Sequence, residues 1–479
     1  MNPTEIPIDF RATALADLAH AVRSRQISAR ELTAHALERI DALNPVYNAF
    51  VAVDGERALK EAAAVDEVTA KGGDPGPLAG IPLAVKDNHD AVGYRSTFGS
   101  PVLADGPIAT SDSPFVARLR AAGCVVVGKT NLPEFAWSAN TTNAVFGPTA
   151  NPFHPDHGVG GSSGGAAAAL AAGMVPLATG SDGGGSIRIP SACCGLSGMK
   201  PSLGRVPSGG PTGPGWLDLS TNGPMARRIA DIVTALDVAV GPDPSDLRSL
   251  PRPEASWLAA AQDPHVPARV VWAPTLGYAS ADAEVLDICR RAVEVLESLG
   301  AEVTEVETVF DTDPVGDFLT LMGVCQLRTM RPYMGHPGWD DVDPVLRAII
   351  DAARSTTAEE LVRIFDRFHR MNLTLIELFH GARILVTPTC AGVAPLVGQG
   401  ESTVNGALTP NWVQFTYPFN MTRSPAATVC AGLSRGGLPI GLQLIGPQHG
   451  DLVVLRTAAA LEAGLLAARG AELLAPISL

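Results

Sequence analysis

The spacing of apolar residues in the first third of the chain predicts N-terminal helices followed by alternating strands and helices. Ser28 and Glu31 form a capping box ahead of apolar positions with helical spacing, and the alanine-rich stretch 55–70 predicts a second helix. The apolar runs 81–85 and 124–127 predict buried strands, with a helix between them. Because such alternation builds covered sheets, we expect an α/β protein with helices on both faces of its sheet.

Two later loops combine glycine with serine. The first is Gly-Gly-Ser-Ser-Gly-Gly at 160–165, and the second is Ser-Asp-Gly-Gly-Gly-Ser-Ile-Arg at 181–188. An alanine-rich helix and a strand over 175–179 separate them. Since glycine lets the backbone approach a substrate closely, we expect both loops to meet at one rim of the sheet, with Ser162 and Ser186 in one active site.

Residues 241–381 have a different pattern. Proline-rich linkers precede a strand at 269–272, a helix at 281–299, a second strand and then polar helices. We expect this region to vary the choice of substrate. The chain then returns to apolar strands, one at 384–386 and one in a hairpin over 437–444.

Composition narrows the classes of function. Of 479 residues, 46 % are hydrophobic and 18 % are charged, with a formal net charge of −14. Binding to nucleic acid or anionic membranes needs clustered Lys and Arg, so we expect neither partner. No segment resembles a signal peptide or membrane span, which predicts a cytoplasmic protein acting on small molecules. Seven scattered cysteines without a C-x-x-C pair predict reduced core residues.

A serine hydroxyl attacks a carbonyl only with a base to take its proton and donors to hold the resulting oxyanion. For Ser186 the donors would be the unobstructed backbone N–H groups of Gly183, Gly184, Gly185 and Ser186 itself. The loop pattern alone also allows a tight turn with an incidental serine, or a phosphate cradle. The loop at 181–188 is not a Walker motif, because no Gly-Lys-Ser/Thr follows its glycines.

Several residues are alternatives for the base. His154 and His157 lie in a proline-rich loop ahead of the first serine loop, and His89 lies beside Asp87 and Asp90 in the sequence. Lys86 follows an apolar strand, where burial would lower its pKa toward neutrality. From the pattern alone, a catalytic Lys86 and a structural lysine paired with Asp87 have equal weight.

Five blocks along the chain together resemble the amidase signature family of serine hydrolases. They are residues 80–88 (GIPLAVKDN), 128–135 (GKTNLPEF), 160–165, 182–190 and, near the end, Pro418-Phe419-Asn420 with 437–444. The resemblance implies one amidase domain over 1–479, with a single large twisted mixed β-sheet covered on both faces by α-helices. Its parts would be N-terminal helices (1–75), the signature core (76–240), a variable substrate-pocket region (241–381) and the C-terminal part of the core (382–479).

The family resemblance also implies a mechanism that needs no cofactor and no metal. Ser186 would be the nucleophile, Ser162 the bridging serine after a cis peptide bond, and Lys86 the base that takes the proton. Ser163, Asp182 and Arg188 would support the two loops.

The chain departs from the family pattern near the nucleophile, which bears on specificity. Gly183 stands where Thr, Ile or Ala is commoner. The loop 208–216 is rich in Gly and Pro and is expected to cover the cleft, with Trp216 against an apolar substrate or in the core. Cys325, in the variable region, is a further expected pocket residue.

The resemblance indicates hydrolysis of a small carboxamide through an acyl-serine intermediate, with a carbamate, anilide, hydrazide or ester as close variants. An alternative is the glutamine-hydrolysing subunit of a tRNA-dependent amidotransferase. Ile189 weighs against it, because that subfamily usually carries Gln after the arginine. An inactive scaffold is a third interpretation, disfavoured by the intact triad positions. The expected partner is the small-molecule amide or carbamate substrate, and a homodimer is one option for the assembly.

Overall fold

The computed structural model describes residues 8–210, 213–258 and 262–469. Within them, eleven strands form one mixed sheet in the order β1-β3-β2-β6-β8-β7-β14-β15-β11-β9-β10. The strands are β1 (Phe50–Val53), β2 (Pro82–Lys86), β3 (Val125–Thr130), β4 (Ala150–Asn151), β5 (His154–Gly158), β6 (Leu177–Asp182), β7 (Ser197–Lys200), β8 (Thr221–Ala226), β9 (Arg269–Trp272), β10 (Glu302–Glu305), β11 (Ile384–Pro388), β12 (Ser402–Val404), β13 (Ala407–Thr409), β14 (Ala426–Leu433) and β15 (Pro439–Ile445). The pairs β4–β5 and β12–β13 form two small separate sheets.

Helices flank the large sheet, as the strand and helix alternation predicts. They are α1 (Leu15–Arg23), α2 (Ala29–Tyr47), α3 (Gly55–Ala70), α4 (Pro114–Ala121), α5 (Gly164–Ala171), α6 (Arg188–Cys193), α7 (Ile229–Ala239), α8 (Ala283–Ser298), α9 (Val315–Met330), α10 (Pro344–Ala353), α11 (Ala358–Gly381), α12 (Pro418–Met421) and α13 (Asp451–Arg469). Across the described ranges, no helix is both long enough and apolar enough to cross a membrane.

The N-terminal helices begin where their sequence signals place them. At the start of α2, the Oγ of Ser28 accepts the backbone N–H of Glu31 at 3.0 Å, and the Glu31 carboxylate accepts the N–H of Ser28 at 2.7 Å. The predicted capping box is therefore confirmed. Helix α3 spans the predicted 55–70, with Asp54 as its N-cap. Such caps each stabilise a helix by about 1 kcal/mol.

Three neighbouring parallel strands bring the candidate chemistry to one edge of the sheet. Strand β2 lies between β3 and β6 and is parallel to both. Every residue of these three strands is buried, which explains their largely apolar sequences. Because parallel strands end at the same edge, Lys86 at the end of β2 and the Ser181–Asp182 end of β6 lie side by side.

The middle region joins the same sheet. Strand β9 pairs in parallel with β10 on one side and with β11 on the other. The strand predicted at 269–272 is confirmed, and α8 and β10 match the predicted helix and second strand within a few residues. Residues 241–381 therefore contribute two strands to the core as well as the helices α9, α10 and α11.

Candidate active site

Lys86 is fully buried at the carboxyl end of β2. Its Nζ lies 2.8 Å from the Oγ of Ser162, 3.0 Å from the Oγ of Ser181 and 3.5 Å from the carbonyl oxygen of Ser181. The backbone N–H of Lys86 donates to Thr179 at 2.9 Å, which fixes the end of β2 beside β6. None of the ion pairs among the described residues involves Lys86. Its amine is therefore surrounded by oxygens that carry no charge.

This environment changes the protonation of Lys86. Burial lowers its pKa from 10.5 to about 7, against the opposing effect of the negative charge of Asp182. Near neutral pH, much of the amine is uncharged. A neutral amine has two N–H donors, which match the two oxygens of Ser181, and one lone pair, which can accept the hydroxyl proton of Ser162. Lys86 can thus serve as a base toward Ser162.

Ser163 connects the two serine loops. Its backbone N–H donates to the carbonyl oxygen of Ser186 at 3.1 Å, and its Oγ lies 3.3 Å from the carbonyl oxygen of Ser181. The peptide bond between Gly161 and Ser162 is cis, as the family resemblance implies. Because Ser162 precedes the residue that holds Ser186, the hydroxyl-bearing residues of the two loops are neighbours. Ser186 itself is only half-buried and so remains open to a substrate.

Asp182 organises the backbone of the Ser186 loop. Its carboxylate accepts the backbone N–H of Gly185 at 2.8 Å, of Ile187 at 3.2 Å and of Arg188 at 3.4 Å. The N–H of Gly185 is therefore already occupied, and the expected set of four oxyanion donors needs a correction. The N–H groups of Gly183, Gly184 and Ser186 make no hydrogen bond within the described chain and remain the available donors.

Arg188 holds this carboxylate from within the core. Burial alone would raise the pKa of Asp182, but the charge and hydrogen bonds of the Arg188 guanidinium lower it below its usual range. All five guanidinium N–H groups are matched to an acceptor. The acceptors are both carboxylate oxygens of Asp182, the carbonyl oxygen of Thr416, Oε1 of Gln443 and Oδ1 of Asn420. The loop that carries Ser186 is thus anchored to the C-terminal part of the chain.

Asn420, Gln443, Thr416 and Ser181 were not among the candidate residues. Asn420 donates to the carbonyl and carboxylate oxygens of Asp182, both at 2.9 Å, and Thr416 donates to the carbonyl oxygen of Gly184 at 2.6 Å. The last of the five family-like blocks contains both Asn420 and Gln443, so that resemblance was a signal for them. Ser181 accepts from Lys86 and from Asn88, and only its place ahead of Asp182 pointed to it.

The three histidines considered as bases have other environments. His89 is buried, with one ring nitrogen 3.0 Å from Thr179 and the other 3.1 Å from Asn222. Burial, with the nearby charge of Lys86, lowers its pKa to about 3. His154 and His157 lie on β5, and His157 contacts the carbonyl oxygen of Ala394 at 2.7 Å. None of the three makes a hydrogen bond to Ser162 or Ser186 in the described structure, so Lys86 is favoured.

Aromatic side chains pack directly on the glycines ahead of Ser186. A Cβ on Gly183 would lie 2.6 Å from the Trp216 ring, and one on Gly184 would lie 2.5 Å from the Phe318 ring. The ring of Phe318 is 6.3 Å from that of Trp216 and stacks on Tyr417 at 5.1 Å. We call Trp216, Phe318 and Tyr417 the aromatic wall. Glycine at 183 is thus the residue that leaves room for Trp216.

The three residues of the aromatic wall differ in how far they are exposed to solvent. Trp216 and Phe318 are half-buried, while Tyr417 is buried and donates its hydroxyl to Asp313 at 2.6 Å. Cys325 is only 2 % exposed and packs in the hydrophobic cluster that the rings also contact, so its thiol is not accessible, contrary to the expected pocket role. All seven cysteines are buried and free. Among the described residues, no group of His, Cys, Asp and Glu has an arrangement that could hold a metal ion.

Comparison with known proteins assigns the chain to a family. The family model described as Amidase matches residues 31–455. The acylamidase of Rhodococcus erythropolis is 38 % identical over 93 % of this chain and 94 % of its own length. A glutamyl-tRNA(Gln) amidotransferase subunit from Synechococcus sp. (strain WH7803) is 34 % identical, over 93 % of this chain and 96 % of that protein.

Solved structures agree with these sequence relatives. A bacterial aryl acylamidase of the amidase signature enzymes superimposes with a TM-score of 0.90 and 29 % identity, covering 99 % of this chain and 100 % of that one. The 6-aminohexanoate cyclic dimer hydrolase in complex with its substrate gives a TM-score of 0.88 at 29 % identity, covering 98 % and 100 %. The fold predicted from the resemblance is therefore confirmed.

Proposed function

Because the chain belongs to the amidase signature family and is a hydrolase of amide C–N bonds, we propose that Ser186, Ser162 and Lys86 form its catalytic triad. The observation that carries this proposal is the buried contact of 2.8 Å between the amine of Lys86 and the hydroxyl of Ser162. The bond from Ser163 to the carbonyl of Ser186 supports it, since it keeps the nucleophile beside this pair.

In the proposed reaction, the Oγ of Ser186 attacks the substrate carbonyl carbon and passes its proton to Ser162, which passes its own to neutral Lys86. The carbonyl oxygen becomes an oxyanion, held by the N–H groups of Gly183, Gly184 and Ser186. The tetrahedral intermediate then breaks its C–N bond, and the leaving amine takes a proton back along the same route. Water attacks the acyl-serine with the same relay and releases the carboxylic acid.

The aromatic wall favours substrates with an aryl or extended apolar group next to the scissile carbonyl. Two aromatic rings lie against the glycines that precede the nucleophile, and offset or edge contacts between rings add about 0.5–1.5 kcal/mol beyond burial. The name of the aryl acylamidase among the similar structures agrees with a preference for an aryl group. A carbamate, anilide or ester of the same shape would present its carbonyl to the same donors.

The triad is tested with purified variants and a panel of aliphatic amides, anilides and aryl carbamates. We expect Ser186→Ala to abolish turnover, and Ser162→Ala and Lys86→Ala to lose at least a hundredfold in kcat/KM. The exposed residues Ser298 and Lys60 provide matched controls, Ser298→Ala and Lys60→Ala, which should keep wild-type rates. Near-full activity in Lys86→Ala would refute the relay, and His89 would then have to be tested as the base.

The wall is tested by comparing two acyl groups in the same variants. We expect Trp216→Ala and Phe318→Ala to lose about tenfold or more in kcat/KM for an aryl-acyl anilide and less than threefold for acetanilide. Trp339→Ala removes a half-buried tryptophan from a different hydrophobic cluster and should leave the ratio of the two rates unchanged. An equal loss for both substrates would show that the rings only support the loop.

Glutamine hydrolysis within a tRNA-dependent amidotransferase is the second candidate function. Its support is the set of amidotransferase subunits at about one-third identity over nearly the full chain. Against it, Ile189 packs its apolar side chain toward Gly160 and Gly185, at the position where that subfamily usually carries Gln. Glutaminase activity that appears only with an added partner subunit would favour this candidate. Anilide hydrolysis without glutaminase activity would exclude it.

A further inference from the structure

The outward face of α11 carries an apolar stripe that no other part of the described structure covers. Val362, Phe365, Leu373 and Ile376 are 61 %, 37 %, 47 % and 42 % exposed, and the exposed His369 lies among them. Their spacing places all five on one side of the helix. We call them the α11 stripe. Such a row of large apolar side chains is typical of a contact surface rather than of a solvated helix face.

The α11 stripe is symmetric about its midpoint. Val362 and Ile376 each lie seven residues from His369, and Phe365 and Leu373 each lie four residues from it. A sequence with this symmetry fits a second copy of itself, because an antiparallel pairing places each apolar residue opposite another one. From this spacing we infer that α11 pairs with α11 of a second copy of this chain, about a twofold axis that passes by His369.

Charges beside the stripe agree with the same axis. Asp366 and Arg370 are exposed on one edge of the stripe, and neither takes part in an ion pair within the described chain. The twofold axis places Arg370 of one copy opposite position 368 of the other. At 1.5 Å per residue it is then about 3 Å along the helix from Asp366. Two identical Asp366–Arg370 pairs would therefore form across the interface.

The stripe also runs into a concave site. A cleft of about 260 Å³ lies at the C-terminal end of α11, lined by Ile376, Phe379 and His380 and by Pro447 and Gln448 from the neighbouring loop. Because the symmetry places Val362 of the second copy opposite Ile376, the side chain of Val362 would enter this cleft. Each copy would thus insert its Val362 side chain into the cleft of the other copy.

The area of this contact determines the expected affinity of the dimer. One helix face covers less than the roughly 800 Å² per partner of a standard stable interface. We therefore expect a dimer that dissociates in the micromolar range, measurable by sedimentation equilibrium or light scattering over a concentration series.

A charge exchange tests the pairing without removing apolar surface. Asp366→Arg alone and Arg370→Asp alone each place like charges across the axis, and each should raise the dimer dissociation constant by about tenfold. The double variant restores opposite charges and should return the constant to within about threefold of wild type. If the double variant is no tighter than the single ones, the proposed axis is wrong.

A cysteine at the axis gives a second test. All seven native cysteines are buried, so His369→Cys introduces the one exposed thiol and should form a disulfide-linked dimer under mild oxidation. Thr374→Cys, exposed on α11 beside the stripe, is the matched control and should cross-link far less.

Loss of the apolar contact should also remove the dimer. The Phe365→Glu variant is expected to remain monomeric even at a concentration tenfold above the wild-type dimer dissociation constant. The control Leu408→Glu changes an apolar residue that is 64 % exposed on β13 and should not affect dimerisation. A wild-type chain that stays monomeric at 100 µM would overturn the inference. The inference would also be overturned if the wild type formed no dimer but bound vesicles of anionic phospholipid, and Phe365→Glu did not bind them. In that case the α11 stripe would be a membrane contact.

Discussion

At the scale of single residues, the proposed reaction depends on the protonation state of Lys86. Its amine is buried against the oxygens of Ser162 and Ser181, and a buried ammonium without a carboxylate partner is unfavourable. The same lysine on the protein surface would hold its proton near pH 10 and could not accept another. The chemistry of the proposed triad therefore depends on the position of Lys86 at the end of a buried strand.

This argument predicts the pH dependence of the reaction. The pKa of Lys86 is lowered to about 7, so the neutral form that accepts the proton increases as the pH rises through 7. We expect kcat/KM to rise roughly tenfold between pH 6 and pH 8 and then to level off. Rates measured across this range with a neutral anilide test it, with circular dichroism to verify the fold at each pH. A flat profile would contradict a neutral lysine base.

Arg188 provides a second prediction at this scale. Arg188→Lys cannot supply five N–H donors in a planar fork, so it leaves acceptors of Asp182, Asn420 or Gln443 without a partner in the core. We expect a loss of about 3–5 kcal/mol in the free energy of unfolding, measured with urea. Arg363→Lys, at a side chain that is 63 % exposed, is the control and should change it by less than about 0.5 kcal/mol. Similar values for both variants would contradict the anchoring role.

Residue identities in the site could be predicted only where they lie in recognisable blocks. Lys86, Ser162 and Ser186 each stand in a block that resembles the family, so the sequence pointed to all three. The hydrogen bond from the Gly185 N–H to Asp182 could not be predicted from the sequence, because it depends on where the Asp182 carboxylate points. Cys325 was expected in the pocket from its region alone, and only the packing of α9 shows that it faces inward.

At the scale of elements, glycine sets how closely α5 approaches the sheet. A Cβ on Gly165 would lie 2.4 Å from the backbone N of Asn131 and 2.5 Å from the carbonyl oxygen of Ala49. These are backbone atoms next to β3 and β1, and they cannot rotate away as a side chain could. The first serine loop leads directly into α5, so the packing of this helix also positions Ser162.

We therefore predict that Gly165→Ala destabilises the protein by about 1–3 kcal/mol or more, through overpacking, and lowers activity with it. Gly316→Ala on α9 meets no atom within 4 Å and is the matched control. That change should be neutral or slightly stabilising, since alanine favours helix. Thermal unfolding of both variants measures the difference, and equal midpoints would show that α5 can shift at little cost.

Elements were predictable where one kind of residue dominates a run. Strands β2 and β3 follow from continuous apolar stretches, and α3 from its alanines. Strands β7 and β8 were not assigned, because Ser197–Lys200 and Thr221–Ala226 show neither alternation nor an apolar run. They form strands because they pair with each other, and because β6 pairs with β8 and β14 with β7 on their outer sides. These pairing partners are distant in sequence, so the local pattern does not predict the strands.

At the scale of the whole molecule, the sheet joins segments that are distant in sequence. Strand β7 from the first half pairs with β14, and β9 from the middle region pairs with β11. The region 241–381 therefore shares the hydrogen bonding of the central sheet instead of forming a separate unit. A substitution that disrupts β9 would therefore disturb its pairing with both β10 and β11 in the central sheet.

Hydrogen exchange measures whether the sheet acts as one unit. Strand β9 lies between β10 and β11, and residues 270–272 are buried. We predict that its amides exchange at the rate of those in β11, both far slower than the peptides of loop 208–210. Mass spectrometry of peptic peptides resolves these segments. Early exchange of β9 while β11 stays protected would mean that the middle region opens on its own.

The five acceptors around Arg188 also have a consequence for the folding of the chain during its synthesis. A ribosome delivers Ser186 long before it delivers Thr416, Asn420 and Gln443, which complete the shell of that guanidinium. Until those residues have been synthesised, the nascent chain contains Ser186 but not all of the contacts that hold its loop. A chain cut before residue 416 would therefore carry the three residues of the proposed triad but lack three of the five acceptors that hold Arg188, and we expect such a fragment to be inactive.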